Sequence, residues 1–205
     1  MKEINVNNVN NVRTKQVLNK KQLRAEIKQR RRNLTLKEIE DFSIQISNLI
    51  INLPIWEYSF YHTFLSIKSL KEVNTEPLLA ILSGKDKNIV ISKTNFEART
   101  MSHILLQDNT ILKLNPLNIP EPENGIKISS KQIEVVFIPL MAFDRLGNRI
   151  GYGMGFYDIF LKRCPKNTLK IGLSFFEAED FIVENNLDDV SLDYCVTPNQ
   201  VYFFN

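Results

Sequence analysis

Between Pro139 and Asp158 the chain carries four of its seven glycines, Gly147, Gly151, Gly153 and Gly155. They follow directly on Glu134-Val135-Val136-Phe137-Ile138. That run is short and almost wholly apolar, as a strand buried on both faces of a parallel sheet would be. Phe156, Phe160 and Leu161 then recur at helical spacing, and Cys164-Pro165 closes the segment, because a proline pushes the residue before it out of the helical region. The stretch predicts strand, glycine-rich loop and helix, a step that lays helices across a sheet.

A glycine-rich turn that opens a helix is suited to anions. Backbone without a Cβ comes close to a ligand. The first N–H groups of a helix lack carbonyl partners, and the helix dipole favours negative charge there. A polyphosphate is the natural occupant. Arg145 and Arg149 add planar cationic donors that match phosphate oxygens. Asp158, in the first helical turn, is placed to bind a hard metal ion beside them. The competing reading is a surface turn with a helix-start aspartate.

The 205 residues suit one sizeable domain, with or without an extra arm. A 43% hydrophobic content beside 24% charged residues is that of a soluble globular protein with its own core. The net charge of +3 favours anionic ligands but is too small for a dedicated nucleic-acid binder. Two cysteines, Cys164 and Cys195, make no disulfide framework and fit a reducing cytosol. His62 and His103 are the only histidines, which rules out a multi-histidine zinc site. There is no bilayer-length apolar run and no signal-peptide core, so the expectation is a cytoplasmic protein without membrane or nucleic-acid partners.

Residues 1–19 show no sustained period and are expected to form a flexible extension; residues 20–205 form the single α/β domain. Lys20 to Arg32 is rich in helix formers, with Leu23 and Ile27 on one face and Lys20, Arg24 and Lys28 on the next. Either this is a solvated basic helix, or Lys20 and Arg24 reach an anionic site. Thr35 with Glu38 makes a capping box for a helix carrying Ile39, Phe42, Ile46, Leu49 and Ile50. Ser59 to Leu65 reads as a strand, with His62 packed in the core, and a polar loop with Glu72 follows. Thr75 is expected to cap a helix stopped at Ser83-Gly84. Asn88 to Ser92 is a strand and Lys93 to Thr100 a loop; Met101–Leu106 and Ile111–Leu114 are expected to pair as a hairpin. Leu169–Phe175, Tyr194–Val196 and Val201–Phe204 are further strands, and Glu177 to Asp189 holds one short helix.

Helices alternating with short apolar strands predict a three-layer α/β/α domain with a mostly parallel, Rossmann-like central sheet. Ligands sit at the carboxyl ends of such strands. That edge is expected to gather Glu72, Lys93, the glycine loop and Asp193.

The segment Asn148-Arg149-Ile150-Gly151-Tyr152-Gly153-Met154-Gly155-Phe156-Tyr157-Asp158 resembles the signature of the 5-formyltetrahydrofolate cyclo-ligase (methenyltetrahydrofolate synthetase) family. The resemblance extends in order to Lys20-Lys21-Gln22-Leu23-Arg24, Phe64-Leu65-Ser66, Glu72-Val73-Asn74-Thr75, Asn118-Ile119-Pro120-Glu121-Pro122 and Asp193 ahead of Thr197-Pro198. It implies an ATP- and Mg²⁺-dependent ligase of folate metabolism, acting as a monomer on ATP and a reduced folate. ATP would phosphorylate the formyl oxygen of 5-formyltetrahydrofolate; 5,10-methenyltetrahydrofolate, ADP and phosphate would result. By family position Lys20, Arg24 and Arg149 would contact ATP phosphates, and Gly151, Tyr152, Gly153, Met154, Gly155, Phe156, Tyr157 and Asp158 would surround the nucleotide. Asp158 and Asp193 would hold Mg²⁺. Leu65, Glu72 and Tyr157 would contact the folate, and Arg149 and Tyr157 would act in catalysis. Met154 stands where many relatives carry Gly or Lys, Tyr152 where some carry Arg, Phe156 where Tyr is common, and Leu117 at a position often aromatic. The other reading is a non-catalytic relative that binds folate or nucleotide.

Overall fold

Leu23 and Ile27 form the apolar stripe of a first helix, α1 (Lys20–Asn33), whose Asn19 side chain accepts from Gln22 N while Gln22 returns a bond to Asn19 N. The computed structural model describes residues 19–116, 118–180 and 189–204. The expectations for residues 1–18, for Leu117 and for most of the acidic helix after Glu177 lie outside the described residues. The predicted capping box opens α2 (Leu36–Ile51), with Thr35 Oγ1 accepting from Glu38 N at 3.1 Å. β1 (Phe60–His62) follows, then a loop with one 3₁₀ turn, and α3 (Glu76–Gly84).

Thr75 occupies the N-cap position of α3 but its hydroxyl does not cap: it donates to Phe64 O at 2.8 Å. Asn74 Oδ1 accepts from Glu76 N in its place, because Thr75 is needed to close the loop that carries Glu72.

β2 (Asn88–Asn95) is longer than predicted, and β3 (Thr100–Leu105) returns against it. The expected hairpin of β3 with β4 (Leu112–Leu114) is therefore not formed. β2 occupies one edge of β3 and β6 (Lys127–Ile128) the other, so β4 pairs with β5 (Pro120–Pro122). The sheet's central strand is β7 (Val135–Pro139). The glycine-rich stretch holds an unpredicted ribbon, β8 (Ala142–Phe143) and β9 (Arg149–Ile150). Its turn is tied by the buried Asp144, whose Oδ1 accepts from Leu146 N and Asn148 N, both at 2.9 Å. α4 (Phe156–Leu161) is short and leads to β10 (Leu169–Leu173), β11 (Tyr194–Val196) and β12 (Val201–Phe203).

The eight-stranded sheet runs β12-β11-β10-β7-β1-β2-β3-β6. β11, β10, β7, β1 and β2 are parallel, and β12, β3 and β6 are antiparallel additions at the edges. Alternation along β7 explains the three layers. Val135 and Phe137 face the core under α2 and α3, beside Ile46, Ile50, Leu78 and Leu82. Val136 and Ile138 face the opposite core under α4, beside Phe160 and Leu161. Both faces are dry, so the strand reads as continuous apolar sequence. α1 packs elsewhere, with Leu23 and Ile27 against Met141, Ala142 and Ile150 of the ribbon. No helix among the described residues is long and apolar enough to cross a membrane.

His62 is fully buried and meets His103 edge-on, with ring centroids 5.3 Å apart. Burial pushes His103 down to about 4 and His62 well below the usual imidazole range, so both are neutral in the folded protein. Unfolding lets them take up protons below about pH 6.5. The stability they contribute is whole above that pH and is lost as pH falls toward 4, at about 1.4 kcal/mol per pH unit for each histidine. Urea midpoints between pH 7 and 5 should fall accordingly, and His103→Leu should flatten the slope. A pH-independent midpoint would contradict the burial of the pair.

Candidate active site

The loops that follow β1 and β7 leave the sheet at the carboxyl ends of neighbouring parallel strands. The first carries Leu65 and Glu72, the second the ribbon and glycine loop. Glu72 is 4% exposed, accepting from Tyr152 OH at 2.5 Å and from Ile67 N at 2.7 Å. Two segments eighty residues apart thus meet at a single carboxylate.

α1 supplies the cations. Its apolar stripe on Met141 and Ile150 turns the neighbouring basic face toward the glycine loop. Arg24 Nε donates to Gly151 O at 2.9 Å. The Arg24 guanidinium lies against Gly153, whose φ is +97°; a Cβ there would stand 3.4 Å from Arg24 Cζ. Lys20 Nζ pairs with Asp189 at 2.5 Å. The basic face of α1 is therefore divided: Lys20 and Arg24 meet Asp189 and the glycine loop, while Lys28 and Arg32 are exposed.

Arg149 is buried on β9, and its Nη2 donates to Asp158 Oδ1 at 2.6 Å. The same oxygen accepts from Val190 N at 3.1 Å. Desolvation pushes the guanidinium down from its ordinary value, and the Asp158 and Asp189 carboxylates push it back up. A guanidinium remains charged through such shifts. Arg149 Nε is buried with no hydrogen-bond partner among the described residues. Tyr157 lies between the two centres: burial and the Glu72 charge raise its phenol well above the ordinary range, so it stays protonated. Its ring contacts His62, and Phe156 meets Phe96 of the β2–β3 turn edge-on at 5.6 Å.

Lys20, Arg24, Arg149, Gly151 to Gly155, Tyr157, Asp158 and Glu72 are thus brought around one edge of the fold. Asp193 and Arg145, expected nearby, are elsewhere. Asp193 precedes β11, at the opposite end of the parallel strands, and its carboxylate is held by Lys170 Nζ at 2.8 Å and Lys170 N at 2.7 Å. Lys93 does lie at the carboxyl end of β2, next to the turn that carries Phe96, but it is exposed and donates to Glu123 O at 2.5 Å. Arg145 is exposed at the ribbon turn.

Two residues at the site had no reading from sequence. Asp189 lies next to Val190, whose N–H holds Asp158, but nothing in the sequence separates it from Asp193. Arg31 is 4% exposed, donating to Tyr152 OH at 2.8 Å and Leu140 O at 2.7 Å. Its signal was its spacing: it continues the Leu23–Ile27 stripe by four residues, so a charge falls on the buried face.

Among the described residues no cluster of three or more His, Cys, Asp or Glu side chains gathers as a metal cage. Mg²⁺ needs none, since it binds through one or two carboxylates, substrate phosphates and retained waters. Asp158 and Asp189, with Arg149 and Lys20 beside them, fit that donor set.

The profile of the 5-formyltetrahydrofolate cyclo-ligase family matches residues 16–198. The 5-formyltetrahydrofolate cyclo-ligase of Mus musculus is 32% identical over 156 residues, covering 72% of this chain and 76% of that protein. The enzyme of the same name from Escherichia coli (strain K12) is 29% identical over 187 residues, covering 86% and 98%. The solution structure of Aquifex aeolicus 5,10-methenyltetrahydrofolate synthetase superposes with a TM-score of 0.78 at 26% identity, covering 91% of this chain and 93% of that one.

Proposed function

The chain belongs to the 5-formyltetrahydrofolate cyclo-ligase family of enzymes, and from that premise we propose that it uses Mg-ATP to convert 5-formyltetrahydrofolate into 5,10-methenyltetrahydrofolate, releasing ADP and phosphate. The observation that supports the ATP reading best is the seating of α1 on the glycine loop, with Arg24 bonded to Gly151 O and Lys20 beside Asp189.

The chemistry asks for activation of a poor leaving group. The formyl oxygen is amide-like and does not depart as oxide or hydroxide. It attacks the γ-phosphorus of ATP, the bond from that phosphorus to the bridging oxygen breaks, and ADP leaves. The second folate nitrogen then attacks the formyl carbon. The carbon–oxygen bond breaks, phosphate carries the oxygen away, and that nitrogen loses its proton. No protein nucleophile is required. The protein has to hold phosphorus in line with oxygen and offset the negative charge.

Lys20, Arg24 and Arg149 offset that charge, and the backbone of Gly151 to Gly155 approaches the phosphates. Asp158 and Asp189 would hold Mg²⁺, which supplies charge neutralisation at the phosphates; Asp189 takes the place first assigned to Asp193, whose carboxylate Lys170 holds. Glu72, Leu65 and Tyr157 contact the folate, Glu72 as polar acceptor and Tyr157 as an apolar wall that excludes water. Arg149 leaves Asp158 to meet a phosphate as nucleotide binds. Free Cys164 and Cys195 suit the reducing cytoplasm in which such an enzyme would act.

Incubation with 5-formyltetrahydrofolate and Mg-ATP should raise the near-ultraviolet absorbance of the methenyl product, with one ADP per product and no rise without ATP or divalent metal. Failure to form product with a folded protein would overturn this reading.

A further inference from the structure

We propose that Arg31 is a positioning residue for folate binding: through the Tyr152 hydroxyl it fixes Glu72 as a hydrogen-bond acceptor facing the substrate. The inference rests on Glu72 being a folate contact, as proposed above. Its basis is the directed chain Arg31 Nη1 to Tyr152 OH at 2.8 Å, then Tyr152 OH to Glu72 Oε1 at 2.5 Å.

Donor counting sets the direction. A guanidinium donates and never accepts. The Tyr152 oxygen must therefore accept from Arg31, and its one proton is left for Glu72. Ile67 N–H occupies the other carboxylate oxygen. Both oxygens of Glu72 thus receive a proton-bearing partner, which is the pattern of a carboxylate. Each retains a lone pair for the adjacent N–H donors along the edge of a reduced pterin.

Burial works against that state. Desolvation is the largest influence on Glu72 and raises it, while the Tyr152 hydrogen bond, the Ile67 N–H and the Arg31 charge lower it, in that order. The charged and titratable groups around it are Arg31 of α1, Tyr152 of the glycine loop and Tyr157 of α4. Lys71, next in its own loop, is turned away to Arg32 O and Leu34 O. Arg31 is therefore the cation that acts on Glu72.

Packing explains only part of Arg31, whose Nη2 satisfies Leu140 O at 2.7 Å. It extends the apolar stripe of Leu23 and Ile27, where an aliphatic side chain would serve, and its Nε is buried with no partner among the described residues. A buried guanidinium with an unmatched donor costs stability relative to a well-packed apolar group.

The test is Arg31→Met, which keeps the volume and the helix, with Arg31→Lys as the conservative variant. In protein carrying ¹³C at the glutamate carboxyl carbon, assigned by Glu72→Gln, the Glu72 midpoint should rise in Arg31→Met, because the nearby positive charge and the donor that directs the Tyr152 proton to Glu72 are both lost. Arg31→Lys should restore most of it. In turnover, the KM for 5-formyltetrahydrofolate should rise about tenfold with Arg31→Met at neutral pH, while the KM for ATP stays within about twofold. An unmoved Glu72 midpoint in folded Arg31→Met would overturn the proposal. Should that variant not fold, Tyr152→Phe breaks the chain at its middle without touching α1, and the same rise is expected; its absence is equally fatal. The carboxyl titration is read in the substrate-free protein, so it stands even if wild-type protein shows no folate turnover, an outcome that would sink the proposed reaction alone.

Discussion

Arg149→Met should lower kcat by about a thousandfold or more, with α/β circular dichroism retained. A cation placed on a transferring phosphoryl group contributes on that scale, because its charge acts where the transition state gathers negative charge and where water is excluded. Arg149 meets the conditions for a large effect. Its side chain is 5% exposed, its ribbon is anchored by the buried Asp144, and its Nε has no partner among the described residues. Asp158 accepts from Arg149 Nη2 at 2.6 Å and fixes the guanidinium in place. Methionine fills the volume without the charge, so no large cavity follows. Asp158 loses one of two donors and keeps Val190 N–H, so a stability loss of about 1–3 kcal/mol is expected. Arg149→Met/Asp158→Asn should recover part of that stability without recovering rate. Steady-state kinetics with thermal melts of both variants separates the effects, and a folded Arg149→Met enzyme with wild-type kcat would remove Arg149 from the reaction.

Gly153→Val should weaken binding of a non-hydrolysable ATP analogue by about a hundredfold or more, measured by calorimetry. Two physical effects combine. With φ at +97°, the backbone conformation is one that a β-branched residue resists strongly. The new side chain would also grow from a Cβ already 3.4 Å from Arg24 Cζ, displacing a phosphate-binding cation and filling the space through which the amides approach the ligand. Gly153 is exposed, so the fold should survive. Gly84→Ala is the control: a Cβ there meets nothing within 4 Å and φ is not positive, so affinity should be unchanged and stability should rise slightly, by about 0.5 kcal/mol. Unaltered affinity in Gly153→Val would mean that the nucleotide binds elsewhere.

Much of the architecture was legible because local chemistry and long-range packing agree. The Thr35–Glu38 capping box and the stripe of α2 needed only neighbours within a turn or two. The apolar run at β7 needed only its own composition. Pairing was not legible. Nothing local to Met101–Leu106 says that β2 and β6, rather than β4, will take its two edges. Nor do Thr75's neighbours reveal that its hydroxyl serves Phe64 O instead of α3.

The same division runs through the site. The amino-acid order by itself determined the glycine loop, the basic face of α1 and the main helices and apolar strands, since each depends on spacing along a few turns of chain, whereas β5, β6 and the β8–β9 ribbon did not show in it. Only the tertiary structure decided which charges meet. Asp158 faces Val190 and Arg149, Asp193 is drawn to Lys170, and Arg31 turns inward to Tyr152 and Glu72. The reason is that electrostatic and hydrogen-bond energies depend on separation in space and on the water excluded between groups, and neither quantity is written in the distance along the chain.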